Sequence, residues 1–96
     1  MNMRHYLKTD SAAFISSTEH GKSYELRYDD RMYKVGDVLV LRETVHTGAE
    51  MKTGEPLVYT EKEHTVIVKH ILRGPIYGLA AGWVIMSVVP LPPEAA

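Results

Sequence analysis

Tyr24-Glu25-Leu26-Arg27-Tyr28-Asp29 alternates strictly between apolar and charged side chains. Successive side chains of an extended strand point to opposite faces, so this period of two predicts a strand with one buried and one polar face. Tyr24, Leu26 and Tyr28 are assigned to the buried face, Glu25 and Arg27 to the polar one.

Upstream, Gly21 follows His20 as a left-handed helix stop. The helix it ends is about ten residues long, too short to stand on propensity alone. Thr9 or Asp10 can cap it, and Phe14 with Ile15 gives a narrow apolar stripe. His5 to Lys8 reads as a first strand. Downstream, Asp29-Asp30-Arg31 and Val35-Gly36-Asp37 read as turns in which aspartates accept from backbone amides. Asp37 to Glu43 is apolar on both faces in its middle, as a central strand should be. Thr44 to Pro56 carries Gly48 and Gly54 and reads as a long polar loop. Leu57 to Thr60 is read as an arm strand, and Thr65 to Leu72 and Trp83 to Val89 as strong strands. Arg73 to Gly82 joins those last two. Pro90-Leu91-Pro92-Pro93 is not expected to extend a sheet, because proline lacks the amide donor. The expected fold is α+β and mainly β: a small five- to six-stranded barrel, open or closed, with one early helix plugging a side. One domain spans 1–89 and a Pro-rich tail 90–96.

A chain of 96 residues has room for a single core, and 45% hydrophobic and 24% charged residues are ordinary globular values. The net charge of -1 excludes a strongly basic surface that wraps phosphates, so any nucleic-acid site must be a local concentration of cations. Cysteine is absent, which removes disulfides, thiolate zinc sites and thiol nucleophiles. No apolar stretch follows Met1-Asn2-Met3-Arg4-His5, and the run Leu79 to Met86 is too short to span a bilayer. A cytoplasmic protein without membrane contact is the expectation.

Gly21-Lys22-Ser23-Tyr24-Glu25-Leu26-Arg27 fits the pattern G-x-K-x-x-E-x-R, which is similar to the signature of the ASCH group in the PUA-like β-barrel superfamily. The fuller run resembles a subfamily of unknown function common in phage and bacterial genomes. It comprises His5, Leu7, Lys8 and Thr9; Phe14; the G-x-K-x-x-E-x-R string; Asp30 and Arg31; Val35, Gly36, Asp37, Leu39, Leu41 and Glu43; and Tyr77, Gly78, Leu79, Gly82, Val84 and Ser87. The chain departs from that pattern at Tyr59-Thr60-Glu61-Lys62, where Y-T-G-R is usual. The resemblance implies a PUA-like barrel. It leaves function open, since that superfamily holds RNA-binding modules, hydrolases of modified nucleosides and proposed nucleases.

A carboxylate between two cations can accept from the edge of a base while the cations hold phosphate, or act as a general base on water. Glu25 between Lys22 and Arg27 fits that description, and equally that of solvated charges or cross-strand partners. Lys8, Asp30 and Arg31 can enlarge the rim, Glu43 can meet it from the central strand, and the resemblance brings His5 to its border. Among six tyrosines and one tryptophan, Tyr77 in a glycine-flanked loop is the preferred stacking residue, whereas Tyr24, Tyr28 and Trp83 are assigned to the core. The five histidines are scattered, and no paired metal-ligand motif, nucleophile elbow or P-loop occurs, so no metal or cofactor is expected. Two functions follow. One is a module that binds RNA or a modified base through His5, Lys8, Lys22, Glu25, Arg27, Arg31 and Tyr77. The alternative is a small hydrolase, an amidohydrolase on a modified nucleoside or a ribonuclease, with Lys22 and Glu25 as catalytic groups. A protein partner at the 44–56 loop stays open, and no feature dictates an oligomeric state.

Overall fold

The computed structural model describes residues 2–92. The elements run β1 (Arg4–Thr9), α1 (Ser11–Glu19), β2 (Tyr24–Tyr28), β3 (Val38–Thr44), α2 (Gly48–Lys52), β4 (Tyr59–Arg73) and β5 (Trp83–Pro90). The five strands form one sheet in the order β1-β3-β4-β5-β2, with β1 parallel to β3 and every other pair antiparallel. The sheet curls until its edge strands face each other: Arg27 of β2 donates to the Lys8 carbonyl of β1 at 3.0 Å. The result is a half-barrel closed by side chains rather than by a backbone ladder. Leu7, Leu39, Leu41, Val66, Val68, Val84, Met86 and Val88 fill its interior, and α1 packs on β3 and β4 and adds Phe14 to that core.

β2 forms where alternation predicts it, but its faces are reversed. Glu25 is buried at 2% exposure, while Tyr24, Leu26 and Tyr28 are each at least half exposed, at 51, 50 and 56%. The register explains the reversal. Glu25 lies opposite Met86 and Arg27 opposite Val84, and both β5 partners point into the core. A period of two fixes which side chains share a face, not which face turns inward. The assignment of Tyr24 and Tyr28 to the core is therefore corrected, and Trp83, 39% exposed, stands outside with them.

Three further expectations change. The segment 44–56 is not loop throughout but holds α2, started by a capping box in which Thr47 and Glu50 each accept from the other's backbone amide. The arm strand and the strand after it are one element, β4, interrupted by irregularities opposite Arg42–Thr44 and near Lys69. Pro90 belongs to β5 and lies opposite Val66, with the Leu91 amide bonded to the Thr65 carbonyl, so the sheet runs into the tail. Pro90 lacks only its own donor, which a strand end tolerates. Pro93 to Ala96 lie outside the described residues.

Asp10 holds the N-cap position of α1, yet its carboxylate makes no cap bond. It accepts instead from the Gly48 amide at 3.0 Å, tying α2 to the start of α1. Aspartates serve the turns as expected. Asp29 accepts from the Tyr33 amide and from Arg73 at 2.6 Å. Asp37, fully buried, accepts from the Met3 amide at 2.9 Å, the Lys34 amide at 3.0 Å and His5 Nε2 at 2.8 Å. Burial alone would raise the Asp37 carboxyl, but these three donors outweigh it and hold the group below its ordinary value.

Two expected outcomes follow from these local structures. Glu61 stands in the left-handed region at φ 74, at the β4 irregularity where the related pattern carries glycine. Replacing Glu61 with Gly relieves that strain and raises unfolding free energy by roughly 0.5–1 kcal/mol in urea titration, whereas Glu61→Ala does not. The lowered Asp37 carboxyl stabilises the fold fully above its unfolded value of 3.8, and that contribution is lost as pH falls through the folded value. Asp37→Asn should flatten the acid limb of the stability profile, and should cost about 2–3 kcal/mol at neutral pH by disrupting the buried donors.

Candidate functional site

The seam between β1 and β2 is where the chemistry collects. β2 turns Glu25 inward, and both of its oxygens are taken. Oε2 accepts from Lys22 Nζ at 2.5 Å; Oε1 accepts from Arg27 Nη2 at 3.0 Å and Nε at 3.2 Å. Lys22 reaches this point because Gly21, at φ 72, ends α1 in the left-handed conformation and turns the chain toward β2. Lys22 also donates to the Tyr24 carbonyl at 2.6 Å and lies 4.9 Å from the Tyr24 ring centroid. Arg27 spends its remaining donors across the seam, on the Lys8 carbonyl and on Thr9 Oγ1 at 3.3 Å. The planar guanidinium can do this because its fork addresses a carboxylate and a neighbouring strand at once.

Two clefts open along the seam and share Lys8, Leu26 and Arg27. One, of about 390 Å³, is also lined by Thr9, Asp10, Lys22 and Glu25. The other, of about 440 Å³, is lined by Tyr28, Asp30, Arg31 and Trp83. A third, of about 400 Å³, continues past Lys8 to Lys52 on α2. Lys8 is exposed, and Arg31, half-exposed, approaches Asp30 only to 3.9 Å. Across the first two clefts Lys8, Lys22, Arg27 and Arg31 face Asp10, Glu25 and Asp30. The seam is therefore slightly positive, and its most accessible cations are exposed Lys8 and Arg31, the latter only loosely paired with Asp30.

Of the residues singled out in the sequence, Lys8, Lys22, Glu25, Arg27 and Arg31 meet along this seam. His5 and Tyr77 do not. His5 faces the core four residues before Thr9, about 13 Å along the strand, where it pairs with Asp37 and its ring meets Tyr33 edge-on at 4.9 Å. Tyr77, 94% exposed, occupies the β4–β5 turn with Gly78, both at positive φ. Its role there is the turn, and neither seam cleft includes it. Glu43 lies on the other side of α1, where Ser11 Oγ at 2.7 Å and Thr60 Oγ1 at 2.8 Å donate to it and hold its carboxyl below the ordinary value.

Sequence reading missed four contributors. Tyr28 and Trp83 were taken for core, Lys52 was taken for loop, and His64 was given no place. His64 projects among the inward positions of β4, and burial lowers its imidazole while the Glu25 carboxylate acts in the opposite direction. The Thr47-x-x-Glu50 capping box was the available signal for α2 and hence for Lys52. No local signal could have found His64, because its neighbourhood with Glu25 is created by the curl of the sheet.

The chain matches the family described as Domain of unknown function (DUF3850) over residues 4–88, and it belongs to that family. No curated protein matches it. No helix among the described residues is long and apolar enough to cross a membrane.

The seam latch yields its own test. Arg27→Lys keeps the charge but lacks the fork, so it can satisfy Glu25 or the opposite strand, not both. Stability should fall by about 1–2 kcal/mol, discounted for the partial exposure of Arg27. Amide exchange should accelerate in β1 and β2 before it does in β3 or β4.

Proposed function

We propose that this member of the DUF3850 family is a PUA-like, ASCH-related module of the cytoplasm that binds nucleic acid along the β1–β2 seam, with RNA or a modified base as its ligand. The observation that carries the reading is the elongated line of clefts flanked by exposed Lys8 and by Arg31, whose ion pair with Asp30 is loose at 3.9 Å and solvent-exposed. A small anion needs one pocket; a run of adjoining clefts suits a polymer backbone. The match of Gly21, Lys22, Glu25 and Arg27 to the ASCH signature supports the same reading.

Within it, Lys22 and Arg27 are the frame and Lys8 and Arg31 the phosphate contacts. Glu25 orders the two framing cations. That role weakens the alternative of a hydrolase with Lys22 and Glu25 as catalytic groups, because a general base needs an open lone pair toward its water. Three of about four acceptor sites on Glu25 are already engaged.

Titration of the purified protein with single-stranded RNA, duplex RNA and duplex DNA across a salt series tests the proposal. Two phosphate contacts at about -0.7 each predict a slope near -1.4 in log affinity against log salt for a single strand. Lys8→Ala and Arg31→Ala should each weaken binding across sequences and remove about half of that slope, with unfolding free energy unchanged. Binding that ignores both substitutions, or no binding to any of the three, defeats the seam as a nucleic-acid site. Turnover of a modified nucleoside that stops in Glu25→Gln would favour the hydrolase instead.

A further inference from the structure

The reversal of β2 leaves an aromatic and aliphatic face outside the half-barrel, with Tyr24, Leu26, Tyr28 and Trp83 exposed to solvent. Tyr24, Leu26 and Tyr28 project from β2, and their partners on β5 are Ser87, Ile85 and Trp83. Tyr28 and Trp83 meet edge-to-face at 5.8 Å and 77°. Gly82, at φ 86, fixes the Tyr28 ring: a Cβ there would come within 2.7 Å of Tyr28 Cε1, so the ring lies against bare backbone. An exposed ring held in this way loses little freedom when something stacks on it.

We propose that this outer face of β2 and β5 is a stacking platform for the bases of a single-stranded nucleic acid whose phosphates follow the seam. The inference rests on the seam reading above and names its ligand class. Three observations select this occupant. The platform adjoins the line of cations, since Leu26, Tyr28 and Trp83 line the cleft that holds Lys8, Arg27 and Arg31. Its rings carry polar edges, and Lys22 sits over Tyr24 at 4.9 Å, so the face is amphipathic. Finally, alternate residues of a strand stand about 6.7 Å apart, roughly twice the 3.4 Å advance per nucleotide in a duplex strand. Side chains at that interval suit a stretched, unstacked strand and do not suit a helix. Sheets that bind single strands use aromatics on one face for the same reason.

Trp83 is the only tryptophan among six tyrosines, so emission excited selectively at the red edge of the tryptophan band reports on this face alone. The full chain is titrated with a short oligouridylate, an abasic strand of equal length and a duplex of equal length, with sedimentation recorded in parallel. The oligouridylate should quench Trp83 and bind roughly tenfold more tightly than the abasic strand, the order expected for one lost stacked base. Leu26→Ala, read by Trp83 quenching, and Trp83→Ala, read by sedimentation, should each weaken the oligouridylate and leave the abasic strand unaffected; circular dichroism confirms that each variant folds. Equal affinity for the oligouridylate and the abasic strand overturns the platform and leaves the phosphate seam standing. Binding of neither overturns the seam reading and the platform with it. A dimer dissolved by Trp83→Ala, with strand affinity unchanged, assigns the face to a second copy and also overturns the proposal.

Discussion

Arg27 reaches from β2 to the Lys8 carbonyl across a seam that no strand ladder closes, and it does so while braced on Glu25. The parallel β1–β3 pair ends the sheet on one side and the antiparallel β5–β2 pair ends it on the other. Two free edges facing each other expose unpaired backbone groups, and one guanidinium satisfies some of them and sets the width of the gap. The consequences are linked. Glu25 must point inward to meet Arg27 and Lys22. Strand alternation then sends Tyr24, Leu26 and Tyr28 outward. The seam stays open as clefts because side chains, not backbone, span it.

Buried carboxylates appear at both ends of the barrel and are handled differently. Asp37 is neutralised mainly by backbone amides and by His5, which locks the start of β3 to β1. Glu25 is neutralised by two cations drawn from its own strand and from the turn before it. Amides cannot leave, so the Asp37 site is a fixed joint. The cations are held on Glu25 by side-chain contacts alone, so the Glu25 site is the joint that borders the solvent-open clefts. A buried ion pair is not in itself a large source of stability. Its worth here lies in specifying one closure of the sheet.

The net charge of -1 also takes on meaning from this arrangement. Most seam cations face a carboxylate, so the long-range field of the seam is weak. Under the proposed function, affinity would come from stacking and hydrogen bonding more than from counterion release. In that reading the exposed rings beside the seam would supply the contact without a strongly basic surface.

Most of the fold was legible in the chain. Alternation located β2, the doubly apolar DVLVLRE run located the central β3, and the glycine after His20 located the end of α1. The family run brought Lys22, Glu25 and Arg27 forward as a group, and they are indeed in contact. What local pattern could not decide was phase and partnership. A period of two is symmetric under exchange of faces, so Tyr24 and Glu25 could trade places without altering the signal. His5 and Glu43 appear in the same family run, yet one is drawn to Asp37 and the other to Ser11 and Thr60. The sequence by itself determined which residues are extended, where the chain turns and which charges travel together, because these depend on neighbours a few positions away. Only the tertiary fold decided which face is inside, because β2 pairs with β5 so that Glu25 and Arg27 lie opposite the buried Met86 and Val84, and Lys22 and Arg27 then make the burial of Glu25 tolerable.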